Sequence, residues 1–66
     1  GNYKQAIEGY NKAIELNPKY AFAYNNRAVA YWRLGNHRQT IEDLKTAARL
    51  GQEKAQKSLR SQGMGW

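Results

Sequence analysis

Cysteine is absent from this chain of 66 residues, which excludes disulfide cross-links and thiolate metal sites. Its one histidine, His37, cannot assemble a metal site without carboxylate help, and no metal or other cofactor is expected. Acidic residues are scarce: five against eleven Lys and Arg, for a formal net charge of +6. Proline occurs once, at Pro18. No apolar run approaches the roughly 18–20 residues that a membrane-spanning helix needs. No charged N-terminal region leads into an apolar stretch, so no signal peptide is expected, and no Asn-X-Ser/Thr sequon occurs. The chain starts with Gly rather than Met. It is expected to be a fragment or a processed form, in a cytoplasmic setting.

Sixty-six residues build one small domain at most. Such a chain buries only about 60% of the surface its unfolded form exposes, and chains of this size commonly lean on disulfides, a metal or a partner. With the first two gone, a partner surface is the expectation, and an enzyme with its own buried cleft is not. The residues agree with that. Glu42 and Asp43 are neighbours on a predicted helix, where successive side chains point about 100° apart, so they are no catalytic pair. The glycines end helices rather than forming a phosphate loop, and no Ser stands with His37 and an acid at the spacing of a nucleophilic triad. No enzymatic activity is expected.

The basic excess is spread evenly. Residues 1–35 carry five basic and two acidic groups, and residues 36–66 carry six and three, so each half is +3. The field favours acidic partners. It lacks the one-sided clustering that marks nucleic-acid binding.

What the chain does have is internal repetition. Shifted by 34 residues, Gly1-Asn2-Tyr3-Lys4-Gln5-Ala6-Ile7-Glu8 lies over Gly35-Asn36-His37-Arg38-Gln39-Thr40-Ile41-Glu42, with Ala13 over Ala47 and Leu16 over Leu50. Seven of the first 16 aligned positions are identical.

Periodicity reads the units as helices. Residues 3–16 place Tyr3, Ala6, Ile7, Tyr10, Ala13 and Ile14 on one stripe, and Asn17-Pro18 stops them because the residue before Pro avoids helical geometry. Residues 21–34 carry Tyr24, Ala28 and Tyr31 on one stripe and Phe22, Val29 and Trp32 on a second, which predicts a central helix covered on both sides. Gly35-Asn36 is a turn signal. Residues 37–50 repeat the first helix with Ile41, Leu44, Ala47, Ala48 and Leu50. Gly51 breaks the chain, and residues 52–61 form a polar helix with Ala55 and Leu59 as its apolar pair. The expected fold is all-α with four helices, followed by a tail whose Trp66 docks back.

These residues resemble a tetratricopeptide repeat, a 34-residue unit of two antiparallel helices, A and B, stacked into a superhelix. The resemblance covers residues 1–54. Tyr24, Ala28, Tyr31, Gly35, Thr40, Leu44 and Ala47 fall on the family's aromatic, small and glycine positions in one full unit, residues 21–54. Gly1, Ala6, Tyr10, Ala13 and Pro18 do so in a partial one, residues 1–20, which is helix B of a truncated repeat. Residues 52–66 are then a C-terminal capping helix and tail. Thr40 is slightly large for its slot, Gln52 stands where the family has Pro, and Arg27 replaces a usual large apolar residue. His37, over Tyr3, reads as an aromatic-sized packing residue.

The resemblance implies a protein–protein interaction scaffold, an α-solenoid whose A helices line a concave groove for a peptide or partner helix. It places Phe22, Asn25, Asn26, Val29, Trp32 and Arg33 on that face. Asn can pair with a peptide backbone, Arg33 with a carboxylate, and Phe22 and Trp32 with apolar side chains. The plainer alternative is that Phe22 and Trp32 pack on a neighbouring A helix. Some members clamp acidic C-terminal peptides with Lys, Asn and Arg from three A helices. Asn26 matches one of those positions, and the other helices fall outside the chain.

Helix 3–16 lacks the A helix that would cover its stripe, and an isolated helix of this length is marginal in water. Burial of Tyr3, Tyr10 and Ile14 by a second copy is therefore expected, giving a homodimer or higher oligomer. Domain swapping would open the Gly35-Asn36 turn, since Pro18 resists straightening at its own position. Two other classes stand beside groove binding. One is a basic nucleic-acid module meeting phosphates through Lys4, Arg33, Arg38, Lys54, Lys57 and Arg60, and the other is purely structural self-assembly.

Overall fold

The computed structural model describes residues 2–66. Gly1, the counterpart of Gly35 in the repeat, lies outside the described residues. Four α-helices follow in order, α1 (Tyr3–Leu16), α2 (Ala21–Arg33), α3 (His37–Arg49) and α4 (Glu53–Ser61), with no strand among the described residues. Each packs on the next, α1 on α2, α2 on α3 and α3 on α4. This is the solenoid-like all-α architecture expected.

The repeated Asn-X-X-Gln sequence has a local cause. Asn2 and Asn36 are N-caps whose Oδ1 atoms accept from the backbone N–H of Gln5 at 3.0 Å and of Gln39 at 3.3 Å. Each satisfies one of the amides that the first helical turn leaves without a partner. The turns after α2 and α3 are also alike. Gly35 and Gly51 take φ of +80° and +95°, a region that costs a side chain dearly. Beyond Gly35, Asn36 N–H donates to the Tyr31 carbonyl at 2.9 Å and Gly35 N–H to Trp32 at 3.0 Å. Gln52 and Gly51 bond Ala47 and Ala48 in the same way, both at 3.0 Å. These pairs close the C-terminal carbonyls in Schellman motifs. Leu34, Leu50 and Gln52 are thus caps rather than helical residues, which trims the expected α2, α3 and α4 by one residue each. As a cap beyond α3, Leu50 leaves the apolar stripe assigned to it and is exposed.

The core is built largely of alanine. Ala28 of α2, Leu44, Ala47 and Ala48 of α3, and Ala55 and Leu59 of α4 form one buried cluster, with Tyr24 packed against it. Small residues let helix axes approach closely, and Leu59, with no exposed surface, plugs the gap between α3 and α4. Thr40 is accommodated by its hydroxyl, which lies 3.2 Å from the Ala28 carbonyl oxygen and 3.0 Å from that of Asn36. The buried oxygen therefore has a partner. Tyr24 fixes the first turn, its Oη donating to the Pro18 carbonyl at 3.0 Å.

Three expectations are corrected. The second stripe of α2 is not covered by a helix: Phe22, Val29 and Trp32 are 59%, 50% and 50% exposed. The side of α2 that meets α1 is carried instead by buried Ala23 and Ala30, which flank Arg27. His37 opens α3 next to the turn and is exposed, so it does not pack as Tyr-sized filler. Trp66 does not dock back into the core and stays exposed at the tail with Met64. On α1, Ile7 is buried against α2, Tyr10 and Ile14 are half-buried, and Tyr3 is exposed.

Candidate functional site

Phe22, Asn25, Val29 and Trp32 recur at helical spacing and share one face of α2. The α3–α4 turn folds α4 back beside that face without touching it closely, because Ala55 and Leu59 anchor α4 on α3 instead. The result is a trench with α2 as one wall and α4 as the other. Its first hollow encloses about 420 Å³. Asn25, Val29 and Trp32 line it from α2, Lys54, Lys57 and Ser58 from α4, and Gln62 from just beyond α4. Ala28, Thr40 and Leu44 form its floor. A second hollow of about 440 Å³ adjoins the N-terminal ends of the two helices, lined by Ala21 and Phe22 on one side and by Leu50–Lys54 on the other. Lys54 lines both. Between Phe22 and Trp32, α2 runs for about 15 Å.

The trench therefore has an apolar strip along α2 and a cationic wall on α4. The first hollow carries two lysines and no acidic lining residue; Glu53 lines the second. Among the described residues one ion pair forms, Arg27–Asp43, so neither lysine is neutralised by a carboxylate of this chain.

Of the six residues expected on the concave face, Asn25, Val29 and Trp32 line the first hollow and Phe22 the second. Asn26 is exposed and lines neither. Arg33 is not a lining residue either, and its guanidinium stands 5.3 Å from the Trp32 ring centroid, where the two attract as a cation–π pair. Tyr3, Tyr10 and Ile14 lie on α1, apart from the trench. The α4 wall was not anticipated. The available signal was the face of α4 beside Ala55 and Leu59, since Lys54 and Ser58 are four residues apart and Lys57 sits between them.

Arg27 is the other residue whose role was hidden. Its Nε and Nη2 donate to Asp43 Oδ2 and Oδ1 at 2.8 and 2.7 Å, and its Nη1 donates to Asn11 Oδ1 at 2.8 Å. The ring centroids of Tyr24 and Tyr31 lie 5.5 and 5.8 Å from the guanidinium carbon. The hydrogen bonding to Asp43 raises the arginine's pKa against the lowering effect of burial, so the group stays charged. Both partners are spent on each other, which makes this an internal tie rather than a ligand site.

Two family models match the sequence, TPR repeat over residues 1–35 and Tetratricopeptide repeat over residues 23–54. The chain is 45% identical over 49 residues to the small glutamine-rich tetratricopeptide repeat-containing protein 2 of Mycosarcoma maydis, covering 74% of this chain and 14% of that protein. It is 36% identical over 59 residues to sperm-associated antigen 1 of Mus musculus, covering 89% and 6%. It is 42% identical over 48 residues to the Hsp70-Hsp90 organizing protein of Triticum aestivum, covering 73% and 8%. The chain thus spans a small part of the length of these relatives. No solved structure gives a significant match. No helix among the described residues is long and apolar enough to cross a membrane.

Proposed function

The chain belongs to the tetratricopeptide repeat family, and on that premise we propose that it is a non-catalytic protein–protein interaction module whose α2–α4 trench receives a peptide or a helix of a partner protein. The observation that carries this is the exposure of α2's most aromatic face. Phe22 and Trp32 stay more than half exposed or half exposed although the same helix buries small alanines on both flanks. Large apolar groups held on a concave surface, with polar groups converging on them, have the character of a binding site rather than of a solvated face. Asn25 and Ser58 supply hydrogen-bonding groups, and the lysines favour a partner of acidic character. The repeat division proposed with it is residues 21–54 as one full unit, 1–20 as helix B of the preceding one and 52–66 as cap and tail. The name of one relative, the Hsp70-Hsp90 organizing protein, favours protein partners in the broad sense.

Selection of a displayed random-peptide library tests the reading. The wild-type chain is expected to enrich peptides that lose their binding to Trp32→Ala. Enriched peptides that bind Trp32→Ala as well as wild type would move the site elsewhere. Nucleic-acid binding is the competing outcome, and it would show affinity falling steeply with salt, by a slope of about 0.9 per phosphate contact.

A second reading, self-association through α1, is favoured by one observation: Tyr3 is exposed, and Tyr10 and Ile14 on the same stripe of the helix are only half-buried. A second copy laid along this face would cover all three, and exchange through an opened Gly35-Asn36 turn is one route to it.

A further inference from the structure

The position of Lys54 between the two hollows assigns the trench a more specific ligand than a generic peptide. We infer that it selects an acidic segment carrying an apolar side chain on each side of its carboxylates, read within a chain rather than at its end. This rests on the binding role proposed above for the same trench.

Three observations lead there. First, the apolar surface is divided. Val29 and Trp32 serve the first hollow and Phe22 the second, so two separate apolar groups are needed to fill both. Second, Lys54 lines both hollows and Lys57 only the first, which puts positive charge where a ligand must cross from one to the other. Third, no carboxylate of this chain pairs with either lysine among the described residues. Glu53 lines the second hollow and weakens the positive potential there, so the favoured register sets the carboxylates toward Lys57. A ligand that fills both hollows must continue past its acidic residues in both directions, and a terminal carboxylate cannot do that.

The expected energetics are modest. An exposed ion pair is worth at most a factor of about five in affinity, so two carboxylates add up to roughly tenfold or somewhat more over a neutral analogue. The increment shrinks with salt, because screening acts over about 8 Å at physiological ionic strength.

The test uses a short peptide, acetylated and amidated, with a pair of glutamates flanked on each side by leucine, and the same peptide with glutamines. Amide-resolved NMR titration of the 66-residue chain is expected to give about tenfold tighter binding of the glutamate peptide at low salt. The double variant Lys54→Gln/Lys57→Gln, at two exposed positions, is expected to bind both peptides alike with its fold intact by circular dichroism. Trp32→Ala is expected to weaken both peptides by the same factor. Equal affinity of the wild type for the two peptides, or a glutamate preference that survives the double variant, overturns the inference and leaves the binding role standing. Binding of neither peptide overturns both.

Discussion

Arg27 grips Asp43 through two hydrogen bonds of 2.8 and 2.7 Å and reaches Asn11 with a third of 2.8 Å, so one side chain joins α1, α2 and α3. Its partner carboxylate is 5% exposed. A charge held this far from water is tolerated only while it is paired, which makes Arg27 the point where the helix stack is most sensitive to a single change.

Replacing Arg27 by Ala is expected to cost about 3 kcal/mol or more, because it strands the Asp43 carboxylate. In a domain this small that approaches the whole stability. Urea melts followed by circular dichroism check it, and the double variant Arg27→Met/Asp43→Leu is expected to recover much of the loss, since a matched apolar pair has no charge to desolvate. The arginine's pKa is raised by folding. Its contribution is therefore complete below the ordinary guanidinium pKa and is lost only as pH rises through the higher folded value. Raising the pH from 7 to about 10 leaves this contribution in place.

Gly35 sits at φ +80° with nothing within 4 Å of where a Cβ would lie. Gly35→Ala is expected to destabilise by about 1–2 kcal/mol through backbone strain alone. A D-alanine at the same position, introduced by chemical synthesis, should restore or exceed wild-type stability. Equal stability of the two alanine forms would mean that the turn does not hold this geometry.

Leu59 is the largest side chain with no exposed surface and fastens α4 to the core. Leu59→Ala is expected to cost about 3–5 kcal/mol and to release α4. The loss would appear as fast amide exchange throughout residues 53–61 and as the disappearance of the cationic wall of the trench. Lys57→Ala, an exposed position on the same helix, is expected to leave both stability and exchange unchanged.

Self-association through α1 predicts a mass above 7.6 kDa in light scattering at micromolar concentration. Tyr10→Lys and Ile14→Lys are expected to return the chain to a monomer, while Asn25→Ala leaves the assembly intact. A wild-type monomer with a cooperative melt contradicts it.

The helices were legible because their signals are local. Asn2 and Asn36 cap, Gly35 and Gly51 break, and Ala28, Ala47 and Leu44 recur at helical spacing, so four elements and the repeat follow from the sequence to within a residue at most ends. The family was legible for the same reason. The Arg27–Asp43 tie was not. Its members lie 16 residues apart on different helices, and an arginine in an apolar slot reads as a departure until its partner is in view. Half the trench was legible, the α2 face: spacing alone puts Phe22, Val29 and Trp32 on one stripe, and the family resemblance adds Asn25 and the groove. The α4 wall was hidden because Lys54 and Lys57 look like the solvated side of a cap, and only the fold-back at Gly51 sets them opposite Trp32. His37 and Trp66 misled by type, since aromatic or aromatic-sized residues beside turns are as easily exposed as buried.

The most direct measurement of the central claim is the map of amide and indole shifts when a library-selected peptide is titrated into the labelled chain. Binding in the trench predicts that the largest changes fall on Asn25, Val29, the Trp32 indole N–H, Lys57 and Ser58, two helices apart in sequence and facing one another across the hollow. Changes concentrated on Tyr3, Tyr10 and Ile14 of α1, with the trench silent, would contradict it.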